Sequence, residues 1–348
     1  DALQSLPVFA LIVVLPTQVS AMDIHQYVQS WVDEQPSWHL VTVAEDTDAS
    51  FVNITVSDTE PMAADAQRLP FTHAQVFRYL LVPVTDTLMH PGKKTAAAHI
   101  IDDQLTTRLR HDLTEQYKNT HSADIADDLN VVDCHIACFD MDSTLIEQEV
   151  IVELARTAGI GEEVEAITEA AMRGEIDFDE SFAQRVALLK GISTDVLYDI
   201  CSRLTLSVGA RTTISALKAL GYHTVLVSGG FTYFARYIAE QLGIDEVHAN
   251  ALDIDEGEVT GHIQLPIVNG AKKAAIVEHT AERLGIEMSQ VVCIGDGAND
   301  LPMMAIADLG VAYHAKPIVQ ARADAAINVT GLEGVLYALG YPALAPTE

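Results

Sequence analysis

The sequence is poor in basic residues, in cysteine and in long apolar runs. Only 20 of its 348 residues are Lys or Arg, against 50 Asp or Glu, so the formal net charge is −30. Nucleic acids and anionic membrane surfaces attract basic proteins, and this charge balance argues against both as partners. An anionic substrate would need a site that supplies its own local positive charge.

No apolar run approaches the ~20 residues that a membrane-spanning helix needs. The longest run near the start, Val8–Leu15, is too short, and the residues before it contain no Lys or Arg, so we expect no secretory signal. The four cysteines form no CxxC pair. This pattern favours buried, reduced thiols and a cytoplasmic protein.

Apolar residues are abundant, at 49% of the chain, while 20% of the residues are charged. This composition is ordinary for a folded protein and wrong for a disordered one. A chain of this length predicts two or three domains.

Three regions differ in pattern. Residues 1–88 contain short β-like runs at 8–15, 39–44, 51–56 and 76–84 and a helical segment at 18–32, and they predict a small α+β domain. Residues 89–130 predict a helical connector, with one long amphipathic helix over 96–117. From residue 131 to 348, apolar runs alternate with helical segments, which is the pattern of a parallel sheet covered on both faces.

This last region predicts an α/β core with two additions. A wholly helical insert at about 147–208 follows the first strand, and Glu256-Gly257 separates two alternating runs, as in a β-hairpin. The predicted core strands are 131–140, 223–228, 246–254, 291–296, 309–312 and 325–329. Ligands of such sheets bind beyond the carboxyl ends of the strands.

The segment FDMDSTLIE places Asp140 and Asp142 directly after a buried strand. Two carboxylates this close repel each other unless a cation is bound or one is protonated. Asp140 could then coordinate Mg²⁺ and attack phosphorus, while Asp142 gives a proton to a leaving alkoxide. A helix that starts near Ser143 would offer N–H donors to a phosphate. Taken alone, such a pair is more often a helix cap or a solvated turn.

Two further segments could bind a phosphate. In VLVSGG, the Ser228 hydroxyl and the glycine N–H groups that follow it can contact phosphate oxygens. In Lys272-Lys273, one ammonium could neutralise phosphate charge. By themselves, a capping turn and a solvated surface pair are the more common explanations of these residues.

The segment VVCIGDGANDLPM ends a buried strand at Asp296 and places Asn299 and Asp300 at the following helix start. An acidic cluster at a strand end suits a hard cation with oxygen ligands. Helix capping is the alternative explanation, at even odds.

The joint order of these four segments resembles the haloacid-dehalogenase superfamily of phosphotransferases. DMDSTLIEQEVI, AMRGEIDF, RVALLKG, VSGGF and IGDGANDLPMM, which span about 131–340, resemble the phosphoserine phosphatases of bacterial serine biosynthesis. The resemblance implies a Rossmann-like core with a helical cap. It also implies Mg²⁺-dependent hydrolysis of O-phospho-L-serine, the last step of serine biosynthesis, through an aspartyl-phosphate.

The same resemblance implies a role for each matched residue. Asp140 would be the nucleophile, and Asp142 the general acid and then the general base. Mg²⁺ would be held by the Asp140 and Asp296 side chains and the Asp142 carbonyl. The residues implied for the phosphoryl group are Ser228, Gly229 and Lys273, with Asn299 on the phosphate or a water and Asp300 fixing the lysine. Lys273 is preferred to Lys272 because its spacing to Asp296 fits the family better.

The helical insert would supply specificity. Phosphoserine carries an ammonium and a carboxylate besides its phosphate, and the family pattern pairs Glu149 with the ammonium and Arg185 with the carboxylate. A guanidinium matches a carboxylate in two parallel hydrogen bonds. Met172 and Phe178 would seal the pocket and exclude water.

The N-terminal element order resembles the amino-acid-binding ACT modules. Their ligand sites usually have a glycine in the first strand–helix loop, which here reads LPTQVSAMD. A dimerisation module is therefore at least as good an expectation as a serine sensor, and we expect a homodimer. The alternatives for the whole chain are a phosphatase for another small monoester, such as phosphohomoserine, and a non-catalytic amino-acid sensor.

Overall fold

The structure is a computed structural model, and it describes residues 9–16, 21–33, 38–44, 74–83, 124–126, 134–173, 175–328 and 330–339. The chain divides into two compact units, one of residues 1–133 with 311–348 and the other of residues 134–310. The predicted strand at 51–56 and the predicted helix at 96–117 lie outside the described residues.

The first unit contains strands and helices on either side of the second unit in the sequence. Strand β1 pairs antiparallel with β3 and β4, β3 pairs antiparallel with β2, and β4 pairs antiparallel with β12, which runs parallel to β11. The division between the units falls inside β11. The elements are β1 (Phe9–Pro16), α1 (Ala21–Asp33), β2 (Trp38–Ala44), β3 (Ala74–Pro83), β4 (Asp124–Ala126), β11 (Leu309–Tyr313), α10 (Pro317–Gln320), β12 (Ala325–Ile327) and α11 (Gly334–Ala338).

The described part of the N-terminal region follows the predicted element order. The expected strands at 8–15, 39–44 and 76–84 and the helix at 18–32 correspond to β1, β2, β3 and α1. Strand β4 was not predicted, because three residues are too short to show a periodicity. The ACT-like assignment and the domain boundaries 1–88, 89–130 and 131–348 remain predictions.

The second unit is built on four parallel strands in the order β10-β5-β6-β7. Strands β5 and β10 are buried along their whole length, as the apolar runs predict for a sheet with both faces covered. The elements of this core are β5 (Ile136–Phe139), α6 (Ala210–Ala219), β6 (His223–Phe231), α7 (Thr232–Leu242), β7 (Glu246–Asn250), β8 (Leu252–Asp255), β9 (Glu258–Ile263), α8 (Gly270–Leu284), β10 (Val291–Gly295) and α9 (Leu301–Ile306).

The predicted insert at about 147–208, between β5 and α6, is helical in the described residues, and we call its four helices the cap. Helix α4 begins after Asp177, whose carboxylate accepts a hydrogen bond from the Glu180 N–H at 2.8 Å. This is the arrangement of a helix N-cap. The cap helices are α2 (Val150–Ala158), α3 (Gly161–Met172), α4 (Phe178–Leu188) and α5 (Thr194–Arg203).

The apolar run 246–254 forms two strands and not the single predicted one. Strand β7 ends at Asn250, and β8 pairs with β9 in a separate antiparallel hairpin. The predicted turn at Glu256-Gly257 is confirmed, with φ of 48° and 83° at its two residues. Glycine adopts such a left-handed backbone without strain.

The structure bears on two expectations, one about the cysteines and one about membrane-spanning helices. All four cysteines are free and buried, as expected. None of the helices in the described ranges has the length and the apolar character that a membrane crossing requires.

Strand register brings the chemistry-bearing segments to one edge of the core. Phe139 lies opposite Ile294 of β10 on one side and Leu226 of β6 on the other. Because the three strands are parallel, their carboxyl ends meet, and the residues that follow or end them are neighbours. Asp140, Asp296 and Ser228 therefore share one edge, where the sequence motifs predicted a site.

Candidate active site

A buried lysine forms the centre of the site. Lys273 in the first turns of α8 is fully buried, and its Nζ lies 2.7 Å from Asp140 Oδ1 and 2.6 Å from Asp300 Oδ1. Burial by itself would lower the lysine pKa, but the two carboxylates outweigh it and raise the pKa above its ordinary value. Of the pair Lys272-Lys273, the structure therefore places Lys273 among the motif carboxylates.

Asp300 has a partner for each carboxylate oxygen. Oδ1 accepts from Lys273, and Oδ2 accepts from the Gly297 N–H at 3.0 Å. The carboxylate packs against Gly295, where a Cβ would lie 2.4 Å from Asp300 Oδ2. Glycine at 295 is thus a packing requirement of the ion pair, and Asp300 holds the lysine in place, as the resemblance implies.

Asp140 and Asp296 carry negative charge that the lysine only partly balances. Burial, then the neighbouring Asp300 carboxylate, raise the pKa of Asp140 to about 8 and that of Asp296 to about 7. Carboxylate oxygens of Asp140, Asp296 and Asp300 lie within 4.8 Å of one another. The Thr144 hydroxyl donates to Asp296 Oδ1 at 3.2 Å and orients that carboxylate.

This donor set fits a hard divalent cation. All three groups are carboxylates, the ligands that Mg²⁺ prefers, and the raised pKa values reflect uncompensated negative charge. Both oxygens of Asp300 are already engaged by Lys273 and Gly297. Asp140 and Asp296 are therefore the side chains suited to hold a cation.

Asp142 has a different environment from Asp140. Its Oδ1 atom is buried and has no hydrogen-bond partner. Burial, followed by the charges of Glu149 and Asp140, raises the pKa of Asp142 well above its ordinary value. This environment favours the protonated form of the side chain, which is the form that a general acid requires.

The prediction of a helix start near Ser143 is wrong. Residues 141–146 form a tight turn in which Ser143 has φ of 56°, and α2 begins only at Val150. The Thr144 and Leu145 N–H groups donate to the Met141 carbonyl at 3.2 and 2.9 Å. Because the turn uses these donors internally, they are not presented as a helix N-terminus would present them.

The segment after Leu226 brings backbone close to Asp142. Ser228 is buried, and its Oγ accepts from the Gly230 N–H at 2.8 Å. A Cβ at Gly230 would lie 3.2 Å from Asp142 Oδ2. At Gly229, the nearest atoms to a Cβ would be the Val268 carbonyl oxygen at 3.4 Å and the Phe178 ring at 3.7 Å. The serine–glycine segment thus lies between Asp142 and the first residue of α4.

Asn250 supports this segment and was missed by the sequence analysis. The residue is buried, its Nδ2 donates to the Gly229 carbonyl, and its Oδ1 accepts from the Val268 N–H, both at 2.8 Å. A single amide thereby ties the serine–glycine segment to the chain that leads into α8. Its one signal in the sequence was an asparagine inside the apolar run EVHANALDI.

Asn299 lies beside the glycines of the site. Its Nδ2 is 4.0 Å from the position of a Cβ at Gly229, and its Oδ1 would collide with a Cβ at Gly297. Asn299 is thus close to the serine–glycine segment, where the family pattern gives it a phosphate or a water.

Phe178 of the cap faces the serine–glycine segment. It is 37% exposed and stacks on Phe182 with ring centroids 6.3 Å apart and planes at 9°. Phe182 in turn contacts Phe231, with centroids 5.7 Å apart. This aromatic row joins α4 to the end of β6. Met172 is the last residue of α3, and its side chain lies outside the described residues.

The two charged cap candidates are close enough to interact. Burial lowers the pKa of the Arg185 guanidinium, while the charge of Glu149 acts in the opposite direction. Arg185 Nε donates to the Ser181 carbonyl at 3.3 Å, and Glu149 accepts from the Ser143 hydroxyl at 2.6 Å. The guanidinium is thus half-buried and interacts with the Glu149 carboxylate.

Comparisons with known proteins agree on this region. Residues 134–308 match the haloacid dehalogenase-like hydrolase family. The chain is 47% identical to the phosphoserine phosphatase of Archaeoglobus fulgidus over 205 residues, which are 59% of this chain and 60% of that protein. The match therefore spans less than two thirds of that relative.

Two solved structures are similar to the chain over different extents. A haloacid dehalogenase family hydrolase from Salmonella enterica serovar Typhi superposes with a TM-score of 0.71 at 28% identity, covering 95% of this chain and 98% of that one. A phosphoserine phosphatase described as a phospho-aspartyl intermediate analogue gives a TM-score of 0.55 at 39% identity. It covers 59% of this chain and 98% of that one.

Proposed function

The chain belongs to the haloacid dehalogenase-like hydrolase family, and we propose that it hydrolyses O-phospho-L-serine to L-serine and phosphate. The observation that carries the proposal is the difference between two neighbouring aspartates. Asp140 is ion-paired to buried Lys273 and belongs to the carboxylate cluster suited to a cation, whereas Asp142 Oδ1 is buried without a hydrogen-bond partner. One group is thus suited to attack and the other to give a proton.

In the proposed reaction, Asp140 is the nucleophile. Lys273 contacts Oδ1, so Oδ2 attacks phosphorus and forms an aspartyl-phosphate, while the bond from phosphorus to the serine oxygen breaks. Asp142 gives its proton to that leaving oxygen. The similar structure described as a phospho-aspartyl intermediate analogue supports this covalent route.

The second half-reaction reverses the role of Asp142. The carboxylate left by the first proton transfer takes a proton from the water that attacks phosphorus, and the bond between phosphorus and Asp140 breaks. Phosphate and the starting protonation state of Asp142 result. The phosphoryl oxygens are held during both steps by the Lys273 ammonium, the Ser228 hydroxyl and the Gly229 N–H, with Asn299 nearby.

We propose Mg²⁺ as the cation of this site, held by the Asp140 and Asp296 side chains and the Asp142 carbonyl. When bound, it would offset the repulsion between Asp140 and an anionic phosphate and draw electron density from phosphorus. The acidic chain otherwise repels such a substrate, because its net charge is −30. Together with Lys273, the cation would supply the local positive charge that an anionic substrate needs.

The cap would recognise the amino-acid part of the substrate. We propose that Arg185 pairs with the substrate carboxylate and Glu149 with its ammonium, while Phe178 and Met172 close the pocket. Burial of Arg185 favours an anionic partner, because a guanidinium removed from water gains from a charge-assisted hydrogen bond. The Ser143 hydroxyl holds Glu149 in position.

Phosphate release from a panel of substrates tests the proposal. The panel contains O-phospho-L-serine, its D-enantiomer, phosphohomoserine, glycerol phosphate and p-nitrophenyl phosphate, each with Mg²⁺ and with a chelator. We expect the largest kcat/KM with phosphoserine and no turnover after chelation. A higher kcat/KM with phosphohomoserine or glycerol phosphate would reassign the substrate, and turnover in chelator would remove the metal from the proposal.

Location and assembly are smaller proposals. Four buried, free thiols support a reducing compartment, and we propose a cytoplasmic enzyme that acts on a small molecule. The homodimer expected from the N-terminal region is tested by the mass of the intact chain in solution.

A further inference from the structure

Helix α4 carries both Phe178 and Arg185, and its two ends are held in different ways. Beyond its C-terminal end, the Gly191 N–H donates to the Val259 carbonyl at 2.8 Å, and the Val259 N–H donates to the Ile192 carbonyl at 2.9 Å. Backbone hydrogen bonds thus join strand β9 of the hairpin to the residues that follow α4 in the cap. These two contacts join backbone to backbone and involve no side-chain atom.

The N-terminal end of α4 is held by a side chain. Asp179, next to Phe178, accepts at Oδ1 a hydrogen bond from Asn269 Nδ2 at 3.0 Å. Asp179 is exposed, and the pair is 90 residues apart in the sequence. Within the described residues, this is the hydrogen bond that joins the first turn of α4 to the start of α8.

The side-chain amide of Asn269 also makes a second hydrogen bond, which caps a helix. Its Oδ1 accepts from the Lys272 N–H at 3.0 Å and caps α8, the helix that carries Lys273. Aspartate and serine cap helices about as well as asparagine does. Neither offers an amide N–H to a facing carboxylate, so the contact with Asp179 is the property that asparagine adds at this position.

We propose that Asn269 and Asp179 form a latch that holds the first turn of α4 against α8, and that Asn269 is a positioning residue for the substrate. The proposal rests on the proposed function. The latch places Phe178 against Gly229 and sets Arg185, two turns further along α4, relative to Lys273. It thereby couples the helix that recognises the amino acid to the helix that holds the phosphate.

The latch can be broken and remade without changing the helix cap. Asn269→Asp keeps the cap but places two carboxylates face to face, and we expect kcat/KM for phosphoserine to fall about 10-fold, mainly through KM. Asp179→Asn keeps an acceptor oxygen and should change kcat/KM less than about 2-fold. The double variant exchanges the two groups, and we expect it to recover to within about 3-fold of the wild type.

A matched control distinguishes the effect of exchanging Asp179 from the effect of the net charge. Asn269→Asp combined with Asp255→Asn has the same net charge as the exchanged pair, but Asp255 is an exposed residue of the hairpin away from the latch. We expect no recovery in this control. Asn269→Ser, which caps the helix without repulsion, should lose about 3-fold. Recovery in the control, or wild-type kinetics of Asn269→Ser, would overturn the latch.

Hydrogen exchange supplies a readout that does not depend on the substrate. In Asn269→Asp, the amides of residues 178–182 should exchange faster than in the wild type, and the exchanged pair should restore their protection. Unchanged exchange would overturn the latch even in an active enzyme. Failure of the wild type to release phosphate from phosphoserine would instead overturn the proposed function, so the two failures are distinguishable.

Discussion

The strand ends and the cap both carry residues of the candidate site, but these residues differ in burial and in how their charges are paired. At the strand ends, Lys273 and Asp300 are fully inaccessible and paired with each other, and the charges are fixed by strands and by α8. In the cap, Phe178 and Glu149 are exposed, and Arg185 is half-buried. The groups proposed for bond chemistry thus lie among buried, paired charges, whereas the groups proposed to recognise the substrate are more accessible to solvent.

The two regions should also differ in the free energy that a substitution costs. A buried charge network leaves an uncompensated charge when one member is removed, and this is expensive. An exposed residue of the cap remains hydrated when its partner is lost, so the free energy of unfolding changes little. We therefore expect substitutions at the strand ends to affect every substrate and those in the cap to affect phosphoserine selectively.

The largest effect should follow from Asp140→Asn. The amide keeps the shape of the side chain but removes the nucleophile, so we expect kcat to fall by at least about 10⁴-fold for every phosphate ester. Phosphate release and circular dichroism measure activity and folding together. Near-normal turnover in a folded variant would exclude the covalent route and with it the contrast between the two regions.

The second-largest effect should distinguish the cap from the strand ends, because it should depend on the substrate. Arg185→Ala should cost about 2–5 kcal/mol in transition-state stabilisation with phosphoserine, because the substrate carboxylate loses its partner in a desolvated site. The loss should be much smaller with p-nitrophenyl phosphate, which has no carboxylate. Measuring kcat/KM for both substrates checks this expectation. Equal losses would place Arg185 with the phosphate or with folding, and not with recognition of the amino acid.

Two glycines test the difference in packing. Gly295→Ala would push a methyl group into the Asp300 carboxylate, where it would lie 2.4 Å from Oδ2, and we expect a loss of about 1–3 kcal/mol in the free energy of unfolding. Gly161 begins α3 of the cap, and nothing lies within 4 Å of a Cβ there. Gly161→Ala should gain about 0.4–1 kcal/mol. Urea unfolding of both variants measures the signs, and a stable Gly295→Ala would contradict the tight packing at the strand end.

The smallest effect concerns a network outside both regions. Glu246 begins β7 and contacts His223, His248 and Arg283. Burial alone would raise the pKa of Glu246, but the hydrogen bonds from these partners outweigh it and lower the pKa from its ordinary 4.5. Glu246→Gln should cost about 0.5–1 kcal/mol of unfolding free energy at pH 7.

The pH dependence of that cost provides its check. A carboxylate with a lowered folded-state pKa stabilises the fold above its ordinary pKa, and the contribution is lost as the pH falls through the folded value. Urea unfolding of the wild type and Glu246→Gln should therefore differ at pH 7, and the difference should disappear as the pH falls below the folded-state pKa of Glu246. A difference that persists in acid would show that packing, and not charge, distinguishes the two proteins.

Local patterns in the sequence were sufficient for the core strands, the helical insert, the hairpin turn and the placement of Asp140, Asp142, Ser228 and Asp296 at one edge. This succeeds because apolar runs specify buried parallel strands, and parallel strands bring their carboxyl ends together. Motifs that follow separate strands therefore have predictable neighbours, even though they are far apart in the chain.

The family spacing favoured Lys273 over Lys272, and the tertiary structure supplies the physical reason: α8 turns Lys273 inward among the carboxylates, and adjacent residues of a helix point in different directions. Two other features could be decided only by the tertiary structure. The turn at Ser143 replaces a predicted helix start because its N–H groups find acceptors within the turn. The hydrogen bonds of Asn250 and Asn269 join residues 18 to 90 positions apart. Such contacts leave no periodic trace in a sequence, because they arise only when separate elements have packed.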